Sequence, residues 1–275
     1  PMNQTLLACP AKINLFLELH GKRPDGFHEI ATVMTPINLC DHLRVKPSRE
    51  FSLHVQGAKL TGTNTLERVY RIVSNQRRIP PVRIDLHKKI PPGAGLGGGS
   101  SNAATLIMAL DKMFDLDLDQ HTIAKEIGSD VPFFLQRSPA LCTGRGEIIH
   151  PLDTTRNLPI TLYFPPVEAL TKEVYAQVKR DKTVSRKSES QFIQAFQSTP
   201  PLELAKQIYN RLQEPAFQRY PTLQAWKRKL GPDVHLTGSG STFFQIHADP
   251  KKAEEVARKK GGLAISTLSP FPPSP

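Results

Sequence analysis

Cysteine is scarce in this chain of 275 residues. Cys9, Cys40 and Cys142 lie far apart and are odd in number, whereas disulfide frameworks and zinc clusters use cysteines in closely spaced sets. The nine histidines form no HExxH pattern of the kind that binds zinc in metalloproteases. We therefore expect neither a disulfide-stabilised protein nor a structural metal site.

Long hydrophobic runs are absent as well. No apolar segment approaches the roughly 18 residues that indicate a membrane span. The N-terminal residues lack the succession of charged, apolar and small residues found in a secretory signal. With 39% hydrophobic and 22% charged residues, the composition is that of a soluble globular protein. The expected location is cytoplasmic, and no membrane partner is expected.

Acidic residues are fewer than basic ones, 25 against 36, which gives a formal net charge of +11. A basic surface is one mark of a nucleic-acid-binding protein. Here the lysines and arginines are spread along the chain and form no dense stripe interleaved with aromatic residues. We favour a general positive field that attracts small anionic molecules. We expect no nucleic-acid partner, and a basic RNA-binding protein is the alternative from another class.

The apolar pattern predicts a protein of mixed α and β structure. Residues 10–19 alternate with period two, which indicates a half-buried strand with a polar second face. Residues 43–55 and 82–87 are further strand candidates. The apolar stripe that follows residue 100 predicts an amphipathic helix, and a second helix is expected over 119–127.

The same pattern suggests a division into two domains. It restarts with a strand-like segment after Asn157, so we predict an N-terminal domain over residues 1–155 and a C-terminal domain over 156–270. Within the latter, residues 180–200 are rich in Lys, Ser and Gln, which suggests an exposed insertion. Residues 271–275 are expected to form a disordered tail.

Five glycines fall within seven residues just ahead of the predicted helix. Such a run can form a tight turn, a linker or a ligand loop, and the close flanking strand and helix leave little room for a linker. Free N–H groups of the loop and of the first helical turn, together with the positive end of the helix dipole, make an anion site. We therefore predict that a phosphate chain binds along Pro91, Pro92, Gly93, Ala94, Gly95, Leu96, Gly97, Gly98, Gly99, Ser100 and Ser101.

Common phosphate-binding patterns fit this run poorly. Gly93, Gly95 and Gly98 satisfy GxGxxG, but no ordinary Rossmann unit follows them. The Lys-Ser/Thr pair of a Walker A loop is missing, as are the HRD and DFG sequences of protein kinases.

Three stretches together resemble the small-molecule kinase family named for galactokinase, homoserine kinase, mevalonate kinase and phosphomevalonate kinase. They are PAKINL at 10–15, the glycine run at 91–104 and LTGSGS at 236–241, in the family's order. The likeness covers nearly the whole chain apart from 180–200 and the extreme tail.

Within that family, further stretches are most similar to the kinases of the non-mevalonate isoprenoid pathway. These are RPDGFHEI at 23–30, GSDVPFFL at 128–135 and GRGEII at 144–149. The resemblance implies phosphorylation of the 2-hydroxyl of a methylerythritol linked to cytidine diphosphate. A kinase of another small alcohol in the same family is the alternative.

The resemblance also implies the fold and the nucleotide. It implies an α+β protein with an N-terminal domain like domain 2 of ribosomal protein S5, a ferredoxin-like C-terminal domain and an active site between them. ATP is the implied phosphate donor, with its triphosphate on the glycine run and with Asn64 and Lys88 near the adenosine. Mg²⁺ is expected with ATP, and Ser100 or Ser101 is a candidate ligand for it.

Asp130 and Lys12 are the candidate catalytic residues. Phosphoryl transfer needs a group that accepts the proton of the attacking hydroxyl. Asp130 fits that role, although an Asp before Pro132 suits a helix N-cap equally well. Lysine is seldom buried without a partner, so Lys12 beside Asn14 on the strand's second face indicates a polar cleft at the substrate, with a surface lysine as the alternative. The family likeness places Lys12 against the aspartate and the reacting hydroxyl.

Phe27 and His28 are the candidate residues for the cytosine. They offer an aromatic face and a hydrogen-bonding edge, although a core Phe and a surface His fit the local sequence as well. The family match adds Tyr175 as a second aromatic wall, with Thr171 nearby.

Overall fold

The computed structural model describes residues 6–58, 64–154, 156–178 and 187–268 of the chain. The strands are β1 (Leu7–Lys22), β2 (His28–Pro47), β3 (Ser52–Gln56), β4 (Val82–His87), β5 (Ala140–Thr143), β6 (Ile148–Pro151), β7 (Pro159–Tyr163), β8 (Tyr209–Asn210), β9 (His235–Leu236), β10 (Phe243–Ile246) and β11 (Leu263–Ser266). The helices are α1 (Thr65–Gln76), α2 (Gly98–Phe114), α3 (Gln120–Ile127), α4 (Val131–Gln136), α5 (Thr171–Ala176), α6 (Glu189–Ser198), α7 (Pro201–Ala205), α8 (Gln213–Arg219), α9 (Pro221–Leu230) and α10 (Pro250–Lys260). None of these helices is long and apolar enough to cross a membrane.

The first sheet is built on the long antiparallel pair of β1 and β2. Its strands run in the order β3-β4-β2-β1-β8, and β5 with β6 extends it from β2. Apolar residues of this sheet and of α1 to α4 form one core cluster. The prediction of mixed α and β structure is therefore confirmed.

The predicted strand at 10–19 is confirmed, but its burial differs from the expectation. Residues 9–19 are all buried, so the strand is not half-exposed. Ala11, Ile13 and Leu15 belong to an apolar cluster that includes residues of the second sheet. The polar side chains of Lys12 and Asn14 are buried on the other side, because the strand lies between two layers of the protein.

The second sheet is four-stranded and runs in the order β11-β7-β10-β9. All three of its pairings are antiparallel, and α10 packs against β7 and β11. One strand of the C-terminal half of the chain belongs to the first sheet, since β8 pairs in parallel with β1.

The helix expected after residue 100 is present, and it begins earlier. Its N-cap is Gly97, so α2 starts inside the glycine run and its first turn contributes free N–H groups there. The expected second helix is α3, which Asp119 caps and which ends at Gly128. The strand expected over 43–55 is interrupted, since residues 48–51 lie between β2 and β3.

The expectation of an exposed insertion over 180–200 is wrong for part of that segment. Residues 180–186 lie outside the described residues, but 189–198 form α6, with Phe192, Ala195 and Phe196 buried. These apolar positions are spaced i, i+3 and i+4, which makes one helical face. The polar composition of the segment masks that face. The tail 271–275 also lies outside the described residues.

Candidate active site

A cavity of about 1050 Å³ brings the three family-like stretches together. Lys12 and Asn14 of β1, the glycine run, and Gly238 with Ser239 all line it. Eighteen of the expected site residues lie around this one cavity: Lys12, Asn14, Phe27, His28, Lys88, Pro91, Pro92, Gly93, Ala94, Gly95, Leu96, Gly97, Gly98, Gly99, Ser100, Asp130, Thr171 and Tyr175. Asn64 and Ser101 are not among its lining residues.

Lys12 is buried and surrounded by three oxygen acceptors. Its Nζ donates to Asn14 Oδ1 at 2.7 Å and to the Gly95 carbonyl at 2.9 Å. Asp130 Oδ2 lies 3.8 Å from the same nitrogen. Burial lowers the pKa of Lys12, and the negative charge of Asp130 opposes that shift. Because an ammonium has three N–H groups to donate, this environment suits the protonated lysine.

Asp130 stands at the N-cap position of α4 without acting as a cap. Its side chain makes no capping hydrogen bond, and it lines the cavity instead. The carboxylate is about one-third exposed, with a side-chain exposure of 36%. This geometry favours a carboxylate that faces a substrate over the capping alternative.

The glycine run adopts a backbone that few other residues accept. The φ angles of Gly93, Gly95 and Gly97 are 64°, 74° and 69°, in the left-handed region. A Cβ on Gly95 would lie 2.7 Å from the carbonyl oxygens of Gly240 and Thr237, and one on Gly97 would lie 2.9 Å from the Phe134 ring. These two glycines are therefore required by the backbone conformation and by protein packing.

Gly99 is different from its neighbours. It is exposed in the first turn of α2, and a Cβ there would have no protein atom within 4 Å. Gly97 caps the helix without a side-chain hydrogen bond. The surface from Gly99 to Ser100 therefore offers backbone N–H groups and the positive end of a helix of 17 residues to an anion.

Ser101 is fully buried behind this surface. Its Oγ has no hydrogen-bond partner within the described part of the chain, and its backbone N–H donates to the Gly97 carbonyl.

Lys88 and Asn64, which the resemblance places near adenosine, have partners of their own. Lys88 Nζ donates to Asp41 Oδ2 at 2.5 Å and to Asn102 Oδ1 at 3.2 Å. Asp41 Oδ1 also accepts from the backbone N–H of Ile90 at 2.8 Å. This buried network ties the start of the glycine run to α2. Asn64 Oδ1 caps α1 by accepting from the Leu66 N–H.

Three aromatic side chains also line the cavity, those of Phe27, His28 and Tyr175. Phe27 is 54% exposed, so the alternative in which it belongs to the core is wrong. The Arg145 guanidinium lies 4.7 Å from the centre of its ring. His28 packs against Tyr175 with ring centroids 5.2 Å apart, and burial lowers the pKa of His28, which favours the neutral imidazole. Thr171 Oγ1 lies 2.9 Å from Ser239 Oγ.

Sequence reasoning missed several residues that shape this site. Asp41 interrupts the apolar pattern of β2, and an acidic residue inside a buried strand is a signal that could have identified it. Arg145 and Thr237 fall inside the quoted stretches, but nothing local assigns them a partner. Their contacts depend on how distant segments meet.

Comparisons with known proteins show which proteins this chain is similar to. Residues 64–137 match the family model described as GHMP kinases N terminal domain. The chain is 35% identical over 248 residues to the 4-diphosphocytidyl-2-C-methyl-D-erythritol kinase of Thermotoga maritima, with 88% of this chain and 91% of the relative covered. It is 34% identical over 267 residues to the chloroplastic kinase of that name from Arabidopsis thaliana, with 90% of this chain and 68% of the relative covered.

Solved structures give the same result. A crystal structure of 4-(cytidine 5'-diphospho)-2C-methyl-D-erythritol kinase matches with a TM-score of 0.81 and 32% identity, covering 96% of this chain and 99% of the other. A homoserine kinase from Cytophaga hutchinsonii matches with a TM-score of 0.71 at 16% identity, covering 98% of this chain and 96% of the other, and so shares the fold.

Proposed function

The chain belongs to the family of 4-diphosphocytidyl-2-C-methyl-D-erythritol kinases, and from that premise we propose that it transfers the γ-phosphate of ATP to the 2-hydroxyl of the cytidyl alcohol, a step of the non-mevalonate route to isoprenoid precursors. The observation that carries the proposal is the cavity itself. It is lined by a buried lysine, a nearby carboxylate, a glycine run at a helix start and three aromatic side chains.

The triphosphate of ATP lies along the glycine run in this proposal. The open surface at Gly99 and Ser100 supplies backbone N–H groups and the helix dipole. The side chain of Asn64 caps α1, and that of Lys88 holds the loop through Asp41. In this proposal the two residues therefore lie near the adenosine without binding it through these side-chain groups. Thr65, next to Asn64, does line the cavity.

The expected Mg²⁺ fits a site with few protein ligands. Among the described residues, no cluster of three or more His, Cys, Asp or Glu side chains could hold a metal ion. Such a site suits Mg²⁺ that arrives on the phosphates of ATP and keeps most of its waters. Ser100 lines the cavity and is the residue that would contact the ion, whereas Ser101 is fully buried and does not line the cavity. When bound, the ion would neutralise charge on the β- and γ-phosphates.

Asp130 serves as the general base. It accepts the proton of the 2-hydroxyl as that oxygen attacks the γ-phosphorus, and the bond from the γ-phosphorus to the oxygen that bridges to the β-phosphorus breaks to release ADP. Lys12, whose Nζ is 3.8 Å from Asp130 Oδ2, places its positive charge beside the carboxylate and next to the transferred phosphoryl group. Both effects depend on position more than on covalent chemistry.

The cytidine binds at the aromatic residues of the cavity in this proposal. Phe27 offers the ring face that Arg145 leaves open, and His28 with Tyr175 offers a second aromatic surface and polar edges. Thr171 stands at the start of α5, which also carries Tyr175. Asn14, whose Oδ1 accepts a hydrogen bond from Lys12, is a further substrate-binding residue in this proposal.

We infer two domains with the active site between them. Residues 1–155 form a domain like domain 2 of ribosomal protein S5, and 156–270 form a ferredoxin-like one. The separate sheets support this division, although β8 joins the first sheet. A cytoplasmic location remains a prediction, because plant relatives are named as chloroplastic.

An ATP-consumption assay over a panel of alcohols tests the proposal. The panel contains the cytidyl methylerythritol compound, homoserine, mevalonate and galactose, and the Asp130→Asn variant is the control for contaminating kinases. We expect turnover with the cytidyl compound alone. Preferred turnover of another alcohol would move the chain to that substrate class. Tight RNA binding in a filter assay that survives high salt, without kinase activity, would favour the RNA-binding alternative.

A further inference from the structure

Thr237 connects the C-terminal part of the chain to the lysine of the site. It follows β9 and is fully buried. Its Oγ1 accepts the backbone N–H of Asn14 at 2.9 Å and donates to Asn14 Oδ1 at 3.3 Å. The two residues are 223 positions apart in the chain, so this contact exists only when the second sheet is docked on the first.

Asn14 transmits that contact to Lys12. The Thr32 hydroxyl donates to the Phe16 carbonyl at 2.7 Å, so it accepts at the 2.8 Å contact with Asn14 Nδ2. The amide nitrogen of Asn14 therefore points to Thr32 and its oxygen points to Lys12. Both lone pairs of Oδ1 are used, one by Lys12 Nζ and one by the Thr237 hydroxyl.

The residue after Thr237 covers the same pair. Gly238 has φ +57°, and a Cβ there would lie 3.1 Å from Asn14 Oδ1 and 3.5 Å from Lys12 Nζ. The backbone of Thr237 is held in turn by a hydrogen bond from the Gly240 N–H at 2.9 Å. The loop that follows β9 thus closes over Lys12 and Asn14 in a defined position.

We propose that Thr237 is a positioning residue of the phosphoryl transfer: by fixing the amide of Asn14 it holds the Lys12 ammonium against Asp130. Without the hydroxyl, the buried Asn14 N–H loses its acceptor and Oδ1 loses one donor. The amide then has fewer restraints, and Lys12 loses the defined orientation of its nearest acceptor. The inference rests on the proposed function but does not depend on which alcohol is phosphorylated, because its argument uses no contact with the acceptor.

Thr237→Val tests the proposal, because it removes the hydroxyl and keeps the shape of the side chain. We expect kcat to fall roughly 10- to 100-fold, the loss that follows when a catalytic group is misplaced by about 1 Å. The KM values for ATP and for the cytidyl substrate should change little, and Thr237→Ser should restore most of kcat.

Thr242→Val is the matched control. Thr242 lies five positions along the same loop and is equally buried, but its Oγ1 has no hydrogen-bond partner within the described residues. The same substitution there should leave kcat unchanged. An equal loss of kcat in both variants would overturn the proposal, because it would indicate damage to the loop in general.

A double-mutant cycle shows whether Thr237 acts through Asn14. In an Asn14→Ala background, Thr237→Val should cause no further loss of kcat, whereas a purely structural effect would multiply the two losses. Losses that multiply, or an unchanged kcat in Thr237→Val, would overturn the proposal. If the valine variant does not fold, Thr237→Ala takes its place in the same cycle.

The proposal and the proposed function can fail separately. If the wild-type chain phosphorylates another alcohol, the cytidyl assignment fails and the Thr237 variants are measured with that alcohol. If the wild-type chain uses the cytidyl compound and Thr237→Val retains full kcat, only the positioning role fails. A chain that phosphorylates no alcohol would overturn both.

Discussion

At the scale of single residues, Asp130 and Asp119 differ in what their side chains contact. Asp119 and Asp130 both stand at helix starts, but only Asp119 makes capping hydrogen bonds, to the Thr122 N–H at 3.0 Å and to its hydroxyl at 2.6 Å. The Asp130 side chain makes no capping hydrogen bond, and its Oδ2 lies 3.8 Å from Lys12 Nζ instead. The two aspartates therefore form a natural pair for separating stability from catalysis.

Asp130→Asn should lower kcat by roughly two to four orders of magnitude, the range for a lost general base, with ATP affinity and the free energy of unfolding nearly unchanged. Lys12→Ala should lower kcat similarly. Asp119→Ala should instead lower the free energy of unfolding by about 1 kcal/mol and leave kcat intact. Steady-state kinetics and urea denaturation give both quantities. Near-normal turnover of Asp130→Asn would remove it from the base role.

Phe27→Ala should raise KM for the cytidyl substrate about 5- to 150-fold, which corresponds to roughly 1–3 kcal/mol of base stacking. KM for ATP should stay the same, because the proposed ATP site is the glycine run and the Phe27 ring packs against Arg145 instead. Leu202→Ala is the control, because Leu202 is similarly exposed at 51% but does not line the cavity. Equal weakening of both substrates, or of neither, would show that the cytosine binds elsewhere.

At the scale of elements, the glycine run and α2 act as one unit. The backbone turns of the run pack against the loop after β9 and against Phe134 of α4, while residues 98–100 in the first turn of α2 line the cavity. The sequence alone does not show which glycines are required for the backbone turns and which leave the surface open to a ligand. The structure separates them by what surrounds each Cβ position.

Gly99→Ala provides the test of the phosphate surface. Alanine favours a helix interior over glycine by about 1 kcal/mol, and no protein atom opposes its Cβ, so thermal stability should be kept or should rise. ATP affinity should fall on the order of tenfold, which is about 1.4 kcal/mol. Gly97→Val should lose stability as well as ATP affinity, because its Cβ meets the Phe134 ring at 2.9 Å.

Thermal denaturation and nucleotide titration of the two glycine variants give these results. If Gly99→Ala, and then the bulkier Gly99→Val, folded and bound ATP as well as the wild type, the triphosphate would have to lie away from the start of α2. The run would then be explained by its turns alone.

At the scale of the whole molecule, histidines whose pKa is lowered by burial make the free energy of unfolding depend on pH. Burial, reinforced by Lys227, lowers the pKa of His235 in β9 to about 4 from an ordinary value of 6.5. Burial also lowers the pKa values of His28, His42 and His247. As the pH falls below 6.5, the unfolded chain binds protons that the folded chain does not. The free energy of unfolding therefore decreases between pH 6.5 and 4.

His235→Gln should flatten this dependence. Each such histidine contributes at most about 1.4 kcal/mol per pH unit, so urea midpoints at pH 7 and pH 5 should differ less in the variant than in the wild type. His121→Gln, at an exposed position in α3, is the control and should keep the wild-type difference. An unchanged difference in His235→Gln would mean that His235 titrates normally.

Much of the fold and of the site could be predicted from local sequence. Period-two alternation identified β1, helical spacing identified α2 and α3, and the glycines ahead of α2 indicated an anion site. The family-like stretches led to Lys12, Asp130 and Phe27 before any contact was known. The predictions of β1, α2 and α3 are confirmed because strand and helix periods and caps are properties of neighbouring residues. The anion site and the roles of Lys12, Asp130 and Phe27 stay predictions.

Only the tertiary structure decided how those parts meet. It showed that Lys88 pairs with Asp41, that α6 packs its apolar face in the core, and that Thr237 reaches Asn14 across 223 positions. Such contacts depend on the register between strands and on the docking of one sheet against another, which no local pattern records. The sequence by itself determined the chemistry that is available, and the docking of the two sheets determined which groups stand within bonding distance of Lys12.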